Sequence, residues 1–315
     1  MSDKTNEFRR MDFVVKVVSS DDKSKTLTLE FKPDPKRYEW REINGELGLY
    51  DKLDNVFFPE QVFVEGFNKL AGKPIYFQPQ MLGDAKTYIK SRQPHIMNML
   101  EGHESPPTFK DESAEFLQSL VVNNLEFVII SLDIVSSTKL ATSTDPKTYA
   151  RLIHTVLYEL SEVVPKFHGH VLKYTGDGLI AYFAAPSFIS KNDLAIDCAL
   201  TLRGLVYDAL NPIFDKQGFS TIDIKIGMDA GEAHIETIGS PATKQHKDII
   251  GAVVNLAAKI QSVAKPGEIY MGDTTLRNLH TKWRQLCEPV NLESNWDYKD
   301  SLGNVYRVHR IILKK

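Results

Sequence analysis

The stretch LKYTGDGLIAYF, Leu172–Phe183, reads as two short strands joined by a tight turn. Glycines and Asp-Gly pairs supply the positive-φ geometry of hairpin turns. Leu172, Tyr174, Leu179, Ile180, Tyr182 and Phe183 are apolar flanks of the kind that strands bury. Lys173 inside the first strand and Asp177 at the turn are not called for by those flanks. Their presence raises the question of whether the hairpin carries a site.

Working outward, EFVIISLDIV (126–135) is an apolar run bounded by polar residues, the pattern of a buried strand. PKTYARLIHTVLYELSEVVPKF (146–167) is a helix with Pro146 in its first turn and Gly169 just beyond it. After the hairpin the spacing predicts a helix over about 191–215, a strand pair in DIKIGMDAGEAHIETIG, and a helix in AVVNLAAKIQSVA that stops at Pro266-Gly267. GEIYMG, a short helix and two further strands complete the tail, the last strand lying in VYRVHRII. The order β-α-β-β-α-β is that of an α+β, ferredoxin-like core, with one sheet and helices on one face.

The first part of the chain differs. DFVVKVV, KTLTLEF and VFVEGF read as short strands, broken by KPDPKRYEW and EINGELG, and a helix follows over about 84–100. EGHESPPTFKD is rich in turn formers and charge and marks a boundary. The expectation is a small N-terminal α/β extension over 1–110, regulatory or dimerising, and a main domain over 111–315.

Composition narrows the class. The 315 residues are 42% hydrophobic and 25% charged with a net charge of −3, which gives no electrostatic case for a nucleic-acid partner. No apolar run approaches the roughly 18 residues of a membrane helix, and MSDKTNEFRR lacks the apolar centre of a signal peptide. The expected location is the cytoplasm, with no membrane insertion. Cys198 and Cys287 stand in unrelated contexts and read as reduced thiols. His168 and His170 read as exposed turn residues, Tyr174, Tyr182 and Phe183 as sheet core, and the acidic run around Asp223 as a solvated strand face.

Asp133 lies near the end of an otherwise apolar strand, where a buried charge needs a partner, a cation or solvent. Asp177 follows 44 residues later, after a helix long enough to cross the sheet and return. Adjacent strands would set both carboxylates at one edge, a hard-oxygen pair suited to Mg²⁺ or Mn²⁺ with substrate phosphates. Ser136, Ser137 and Thr138 follow at a turn into a helix, where backbone N–H groups and hydroxyls suit an anion. Singly, each aspartate also fits an ordinary strand-end or turn role. No GxxxxGKS/T stretch is present, so a P-loop does not account for phosphate binding.

FVIISLDIVSST, LKYTGDG and DIIGAVVNLAAKI, in that order, resemble the class III nucleotidyl cyclases over roughly Glu126–Ile312. The resemblance implies the ferredoxin-like cyclase core and two metal ions per site, held by Asp133 and Asp177 with the Ile134 carbonyl. It makes Lys173 and Asp248 base contacts, Asn255 the residue that orients the ribose, and Lys259 the occupant of the family's usual arginine position. Lysine is a flexible point charge rather than a planar fork of donors, so slower turnover is expected there. Lys299 is the nearest match to a triphosphate-binding lysine, and Phe127 is a candidate lining of the base pocket. The resemblance further implies a nucleoside triphosphate substrate, a homodimer whose sites draw on both subunits, and a 3′,5′-cyclic nucleotide product read by a downstream effector.

The base stays open. Lys173 with Asp248 is the adenylate-type pair and argues against GTP, while uracil offers a donor beside an acceptor as adenine does. A short chain with no membrane segment or recognisable sensor is similar to the stand-alone pyrimidine cyclases of anti-phage defence, so UTP or CTP stands beside ATP. A catalytically inactive nucleotide-binding regulatory domain is the alternative from another class.

Overall fold

A computed structural model describes residues 10–21, 23, 26–62, 64–65, 81–103, 111–120, 125–184, 191–292, 296–300 and 302–313. They fall into two compact units, one from Met1–Tyr76 with Leu279–Gln285, the other from Phe77–Asn278 with Leu286–Lys315. Among the described residues no helix is long and apolar enough to cross a membrane.

In the larger unit the run beginning at Leu125 becomes β6 (Leu125–Val135), and the hairpin becomes β7 (His170–Tyr174) and β8 (Leu179–Phe183). The strands β9 (Asp223–Ser240), β10 (Lys244–Ile250), β11 (Ile269–Gly272), β12 (Cys287–Pro289) and β13 (Val308–Ile311) complete a sheet of order β12-β13-β11-β9-β6-β8-β7, with β10 on β9. The expected strand pair after residue 223 is in fact one 18-residue strand. Its first half pairs with β6 from Val135↔Asp223 to Leu125↔Ala233, and its second half pairs with β10. No turn-forming pair interrupts it, so one strand serves three neighbours, the third being β11, which pairs with its first half from Ile269↔Ile226 to Met271↔Met228.

Helices α3 (Ser137–Ser143) and α4 (Pro146–Val163) link β6 to β7. Asp145 caps α4 by accepting from the Lys147 and Thr148 N–H groups at 3.2 and 3.1 Å. Helices α5 (Lys191–Leu205) and α6 (Asn211–Lys216), joined by a π-helical turn over Val206–Leu210, realise the helix expected over 191–215. Helix α7 (Ala252–Val263) packs on β6 and β9. Gly227 makes that packing close, because a Cβ there would stand 2.2 Å from the Gln261 nitrogen and 2.4 Å from the Ala257 oxygen.

One face of the sheet holds Phe127, Ile129, Ile180 and Tyr182 against Val253 and Ala257 of α7. The alternate residues Val128, Ile130, Leu132, Leu179, Ala181 and Phe183 are buried too, and α5 packs against β6, β8 and β9. The sheet is therefore covered on both faces, not one, and its central strands read as continuous apolar runs for that reason.

The boundary expected at residue 110 also differs from the packing. Helix α1 (Ala85–Glu101), capped by Asp84, lies with the larger unit. Arg92 donates to both oxygens of the fully buried Glu159 at 2.8 and 2.9 Å, and His95 Nδ1 is 2.7 Å away. A buried carboxylate must be paired, and α1 supplies the pair. A further helix, α2 (Glu112–Ser119), adds Leu117 to the core beside Phe127.

The smaller unit has a two-stranded ribbon, β1 (Phe13–Asp21) with β2 (Thr26–Pro33), and a three-stranded sheet, β3 (Tyr38–Ile43), β4 (Glu46–Asp51) and β5 (Val56–Pro59). Parts of KPDPKRYEW and EINGELG are thus strands, turned at Asn44-Gly45 with φ of 55 and 79°. In VFVEGF, residues 62 and 64–65 are helical rather than extended. Arg37, 1% exposed, binds Asp12, Asp51 and Asp54 at 3.1, 2.8 and 3.3 Å. Thr281 and Arg284, from a distant part of the sequence, bind Asp12 and Asp54 in the same network.

In the larger unit, Asp229 is fully buried and accepts from the Tyr306 hydroxyl at 2.7 Å. Burial pushes its carboxyl up to about 7, against the opposing effect of that hydrogen bond. The folded state therefore holds this proton more tightly than the unfolded chain. Its contribution to stability is complete below pH 4 and is lost as pH rises to about 7. Asp229→Asn should flatten that part of the stability profile in urea unfolding between pH 4 and 7. An unchanged slope would refute the assignment.

Candidate active site

The two carboxylates that the sequence singles out meet at one edge of the sheet. Asp133 is on β6 opposite Lys225 of β9, and Asp177 is in the β7–β8 turn. Thr175 N–H donates to the Gly178 carbonyl at 2.9 Å, and Gly176 takes φ of 76°. Gly178 has a separate role. A Cβ there would lie 2.3 Å from the Leu132 carbonyl oxygen and 3.2 Å from Asp133 Oδ1, so only glycine lets the turn rest on the end of β6. Partial burial raises the Asp133 carboxyl above the usual range, and the Asp177 charge raises it further, while Lys225 opposes both. Burial and the Asp177 charge also raise the Tyr149 hydroxyl.

Ile134 continues β6 with its side chain 2% exposed. Ser136 follows at φ of 59° with no side-chain cap hydrogen bond, and Ser137 and Thr138 open the short helix α3. These residues stand directly beyond Asp133 in the chain.

Lys173 and Asp248 form a second cluster. The β7–β8 ladder is irregular between Val171 and Lys173, so Lys173, not Leu172, stands opposite Ile180. A bulge of this kind re-aims a side chain. Here it turns Lys173 to the face holding Ile180, Tyr182 and Ile249, and Lys173 Nζ reaches Asp248 Oδ2 at 2.5 Å. Asp248 Oδ1 accepts the Ile249 N–H at 2.9 Å. His246 Nε2 lies 3.9 Å from Asp248 Oδ2. The sequence reading passed over His246, although its period-two spacing from Asp248 places both on one face of β10.

Asn255 and Lys259 lie one turn apart on the exposed face of α7. Lys299 is exposed beside the Trp296–Tyr306 cluster, its backbone bridging Val305 across a turn in which Asp300 accepts from Leu302 and Asn304. Among the described residues no hydrogen bond or ion pair joins Asn255, Lys259 or Lys299 to the two carboxylates.

Several expectations need correction. Phe127 is fully buried and packs edge-on to Tyr182 at 6.2 Å, so it belongs to the core and does not line an open pocket. Tyr174 is 54% exposed, because the bulge reverses the phase of β7 next to the turn. His170 is half-buried, stacked on Phe116 at 3.9 Å and on Tyr182 at 5.3 Å, and burial lowers its imidazole below the usual value. The run around Asp223 is only partly a solvated face, since Lys225 is the register partner of Asp133.

The family described as adenylate and guanylate cyclase catalytic domain matches residues 123–295. A cytidylate cyclase of Escherichia coli is 25% identical over 160 residues, covering 48% of this chain and 35% of the relative. An adenylate cyclase of Anabaena cylindrica is 26% identical over 189 residues, covering 57% and 36%. The match thus spans little more than a third of either relative. Among solved structures, the adenylyl cyclase CyaB from P. aeruginosa superposes with a TM-score of 0.52 at 19% identity, over 61% of this chain and 96% of that one. The guanylate cyclase domain of RhGC from Catenaria anguillulae gives 0.51 at 18%, over 62% and 100%. These likenesses establish the fold.

Removing the like charge in Asp177→Asn should lower the titration midpoint of Asp133, and removing the neighbouring cation in Lys225→Ala should raise it. Carboxyl ¹³C NMR in the absence of divalent cations measures both shifts. A midpoint that stays put in both variants would contradict the proximity described.

Proposed function

The chain belongs to the adenylate and guanylate cyclase catalytic-domain family, and from that membership we propose that it is a nucleotide cyclase. It converts a nucleoside triphosphate to the 3′,5′-cyclic nucleotide and pyrophosphate. The observation that carries the reading is the meeting of Asp133 and Asp177 where Gly178 rests on the end of β6.

The residues fit a divalent cation pair. Two half-buried carboxylates that repel each other, opposed by Lys225, are a place where added positive charge is favoured. Among the described residues no group of three or more His, Cys, Asp or Glu is arranged to hold a metal. A two-carboxylate set completed by a backbone carbonyl and substrate phosphates is what Mg²⁺ or Mn²⁺ takes, and Asp133, Asp177 and the Ile134 carbonyl would provide it. Such ions, when bound, lower the pKa of the attacking hydroxyl and offset charge on the leaving pyrophosphate.

The chain's own residues do the rest. Asn255 holds the ribose so that its 3′-oxygen lies in line with the α-phosphorus. The 3′-oxygen to phosphorus bond forms as the α–β bridging bond breaks, and the hydroxyl proton is lost to solvent. Lys259 neutralises charge on the α-phosphate as it develops. Ser136, Ser137 and Thr138 contact the phosphates, and Lys299 serves the triphosphate from the other end of the site. Lys173 and Asp248 meet the base. Asn255 and Lys259 are exposed on α7, which supports a homodimer in which they complete the carboxylate site of a second copy.

Two base classes fit a lysine–aspartate pair: adenine, and the pyrimidines uracil and cytosine. The reaction is cytoplasmic in this reading, and the product acts on a separate effector, as in the pyrimidine cyclases of anti-phage defence. A second reading, an inactive nucleotide-binding domain, is favoured by Lys259 at the position where the family usually has arginine.

Incubating the purified chain with Mn²⁺ and each of the four triphosphates in turn should yield one class of cyclic nucleotide. Asp133→Asn and Asp177→Asn should each abolish it with circular dichroism unchanged, and full activity in either would sink the assignment. Lys259→Ala should lower kcat about 100-fold with little change in nucleotide binding. Lys259→Arg should raise kcat. Binding without pyrophosphate release in the unaltered chain would establish the inactive reading instead.

A further inference from the structure

We propose that Tyr306 is a positioning residue for the triphosphate, and that its bond to the buried Asp229 fixes the turn that presents Lys299. The inference rests on the nucleotide-cyclase reading for the role of Lys299, and it adds the groups that hold that lysine in place.

Lys299 stands in a narrow, two-limbed turn. Its backbone bridges Val305, the Tyr306 N–H donates to the Tyr298 carbonyl at 2.7 Å, and the Asp300 N–H donates to the Asn304 carbonyl at 2.8 Å. Lys299 lies between these two rungs, so its backbone follows the limb that Tyr306 closes. Both limbs are tied to Tyr306. Its carbonyl accepts from Trp296 Nε1 at 2.8 Å, and its hydroxyl donates to Asp229 Oδ1 at 2.7 Å while accepting from the Thr274 N–H at 3.1 Å. Gly272 makes the hydroxyl contact possible, because a Cβ there would lie 2.3 Å from Asp229 Oδ1 and 2.6 Å from the Tyr306 oxygen.

The same turn packs against the helix that carries Asn255 and Lys259. Trp296 and Tyr306 are buried with Ile260 and Ala264 of α7 and its C-cap, and Leu256 and Tyr298 flank them. Asn255, Lys259 and Lys299 thus stand on one packed block. Apolar contacts are non-directional, and alone they would let the turn shift along α7. A hydrogen bond to a carboxyl group on β9 removes that freedom. Phenylalanine would fill the same apolar space without requiring Asp229, which is 1% exposed and whose burial is unfavourable. The fold bears that cost where it ties the Lys299 turn to the central sheet.

The test uses the full chain with Mn²⁺ and the non-cyclisable α,β-methylene analogues of UTP, CTP, ATP and GTP. The matching nucleoside monophosphates serve as controls, and calorimetry gives the affinities. Tyr306→Phe should weaken the tightest-binding analogue about tenfold, the scale of one charged hydrogen bond, and leave its monophosphate unchanged. Lys299→Ala should do the same. Tyr306→Phe should add nothing in the Lys299→Ala background, the coupling expected when one residue acts through another. Asp229→Asn keeps an acceptor for the hydroxyl and should bind as the unaltered chain does, whereas Asp229→Ala should match Tyr306→Phe. A merely structural tyrosine would weaken triphosphate and monophosphate alike. Equal losses for the two ligands, additive losses in the double variant, full affinity in Tyr306→Phe or Lys299→Ala, or no binding of any analogue by the unaltered chain would each overturn the proposal. Product analysis on the natural triphosphates separates the two readings. Binding that depends on Tyr306 and Lys299 without cyclisation would retire the catalytic reading and keep the positioning role. Cyclisation that Tyr306→Phe leaves unaltered, with triphosphate affinity also unaltered, would do the reverse.

Discussion

Strand β6 pairs with β9 along its whole 11-residue length and with β8 over Val128–Leu132, and it is buried on both faces. Such a strand can carry no unpaired charge in its interior, because removing an ion from water costs several kcal/mol. Its end is the one place for Asp133, and the neighbouring hairpin turn brings Asp177 to the same place. The site is thus a consequence of the sheet: the burial that excludes charge from the centre of β6 concentrates it at the edge. Burial and the Asp177 charge both raise the Asp133 carboxyl held there.

The T-G-D-G turn meets two separate demands. Gly176 supplies a left-handed backbone conformation that β-turns need. Gly178 supplies the absence of a side chain, since any Cβ would enter the Leu132 carbonyl. Asp177 sits between them, so its position is fixed from both sides. The same economy appears at β7, where one irregular step turns Lys173 toward β10 and leaves Tyr174 in solvent.

The Lys173–Asp248 pair is short, yet its lysine is two-fifths exposed. Ion pairs with that much solvent contribute little, of order 0–1 kcal/mol, and are screened by salt. The buried Arg92–Glu159 and Arg37–Asp51 pairs are of the opposite kind, since opening either would strand a charge in the interior. The partly exposed pair lies in the candidate site, and the buried pairs belong to the scaffold.

Much of this was legible in the sequence. Periodicity and turn chemistry placed β6, the hairpin, α4, α5 and α7, and the apolar setting of Asp133 marked it as out of place. The βαββαβ order then brought Asp177 to it. Local pattern did not reveal that β9 is one strand with three partners, that both faces of the sheet are covered, or that Phe127 is sealed in the core. It also missed α1 joining the larger unit through Glu159, and Thr281 and Arg284 joining the smaller one. Each of these depends on which distant segment packs where, and side-chain periodicity reports only which way a residue faces along its own element. Asp133 and Asp177 were singled out by residue type and order along the chain, and Lys173 and Asp248 by the motifs they stand in. The bulge that aims Lys173, the glycine contact that seats Asp177 and the approach of His246 were decided only by tertiary structure, because each is a distance between strands that no single strand encodes.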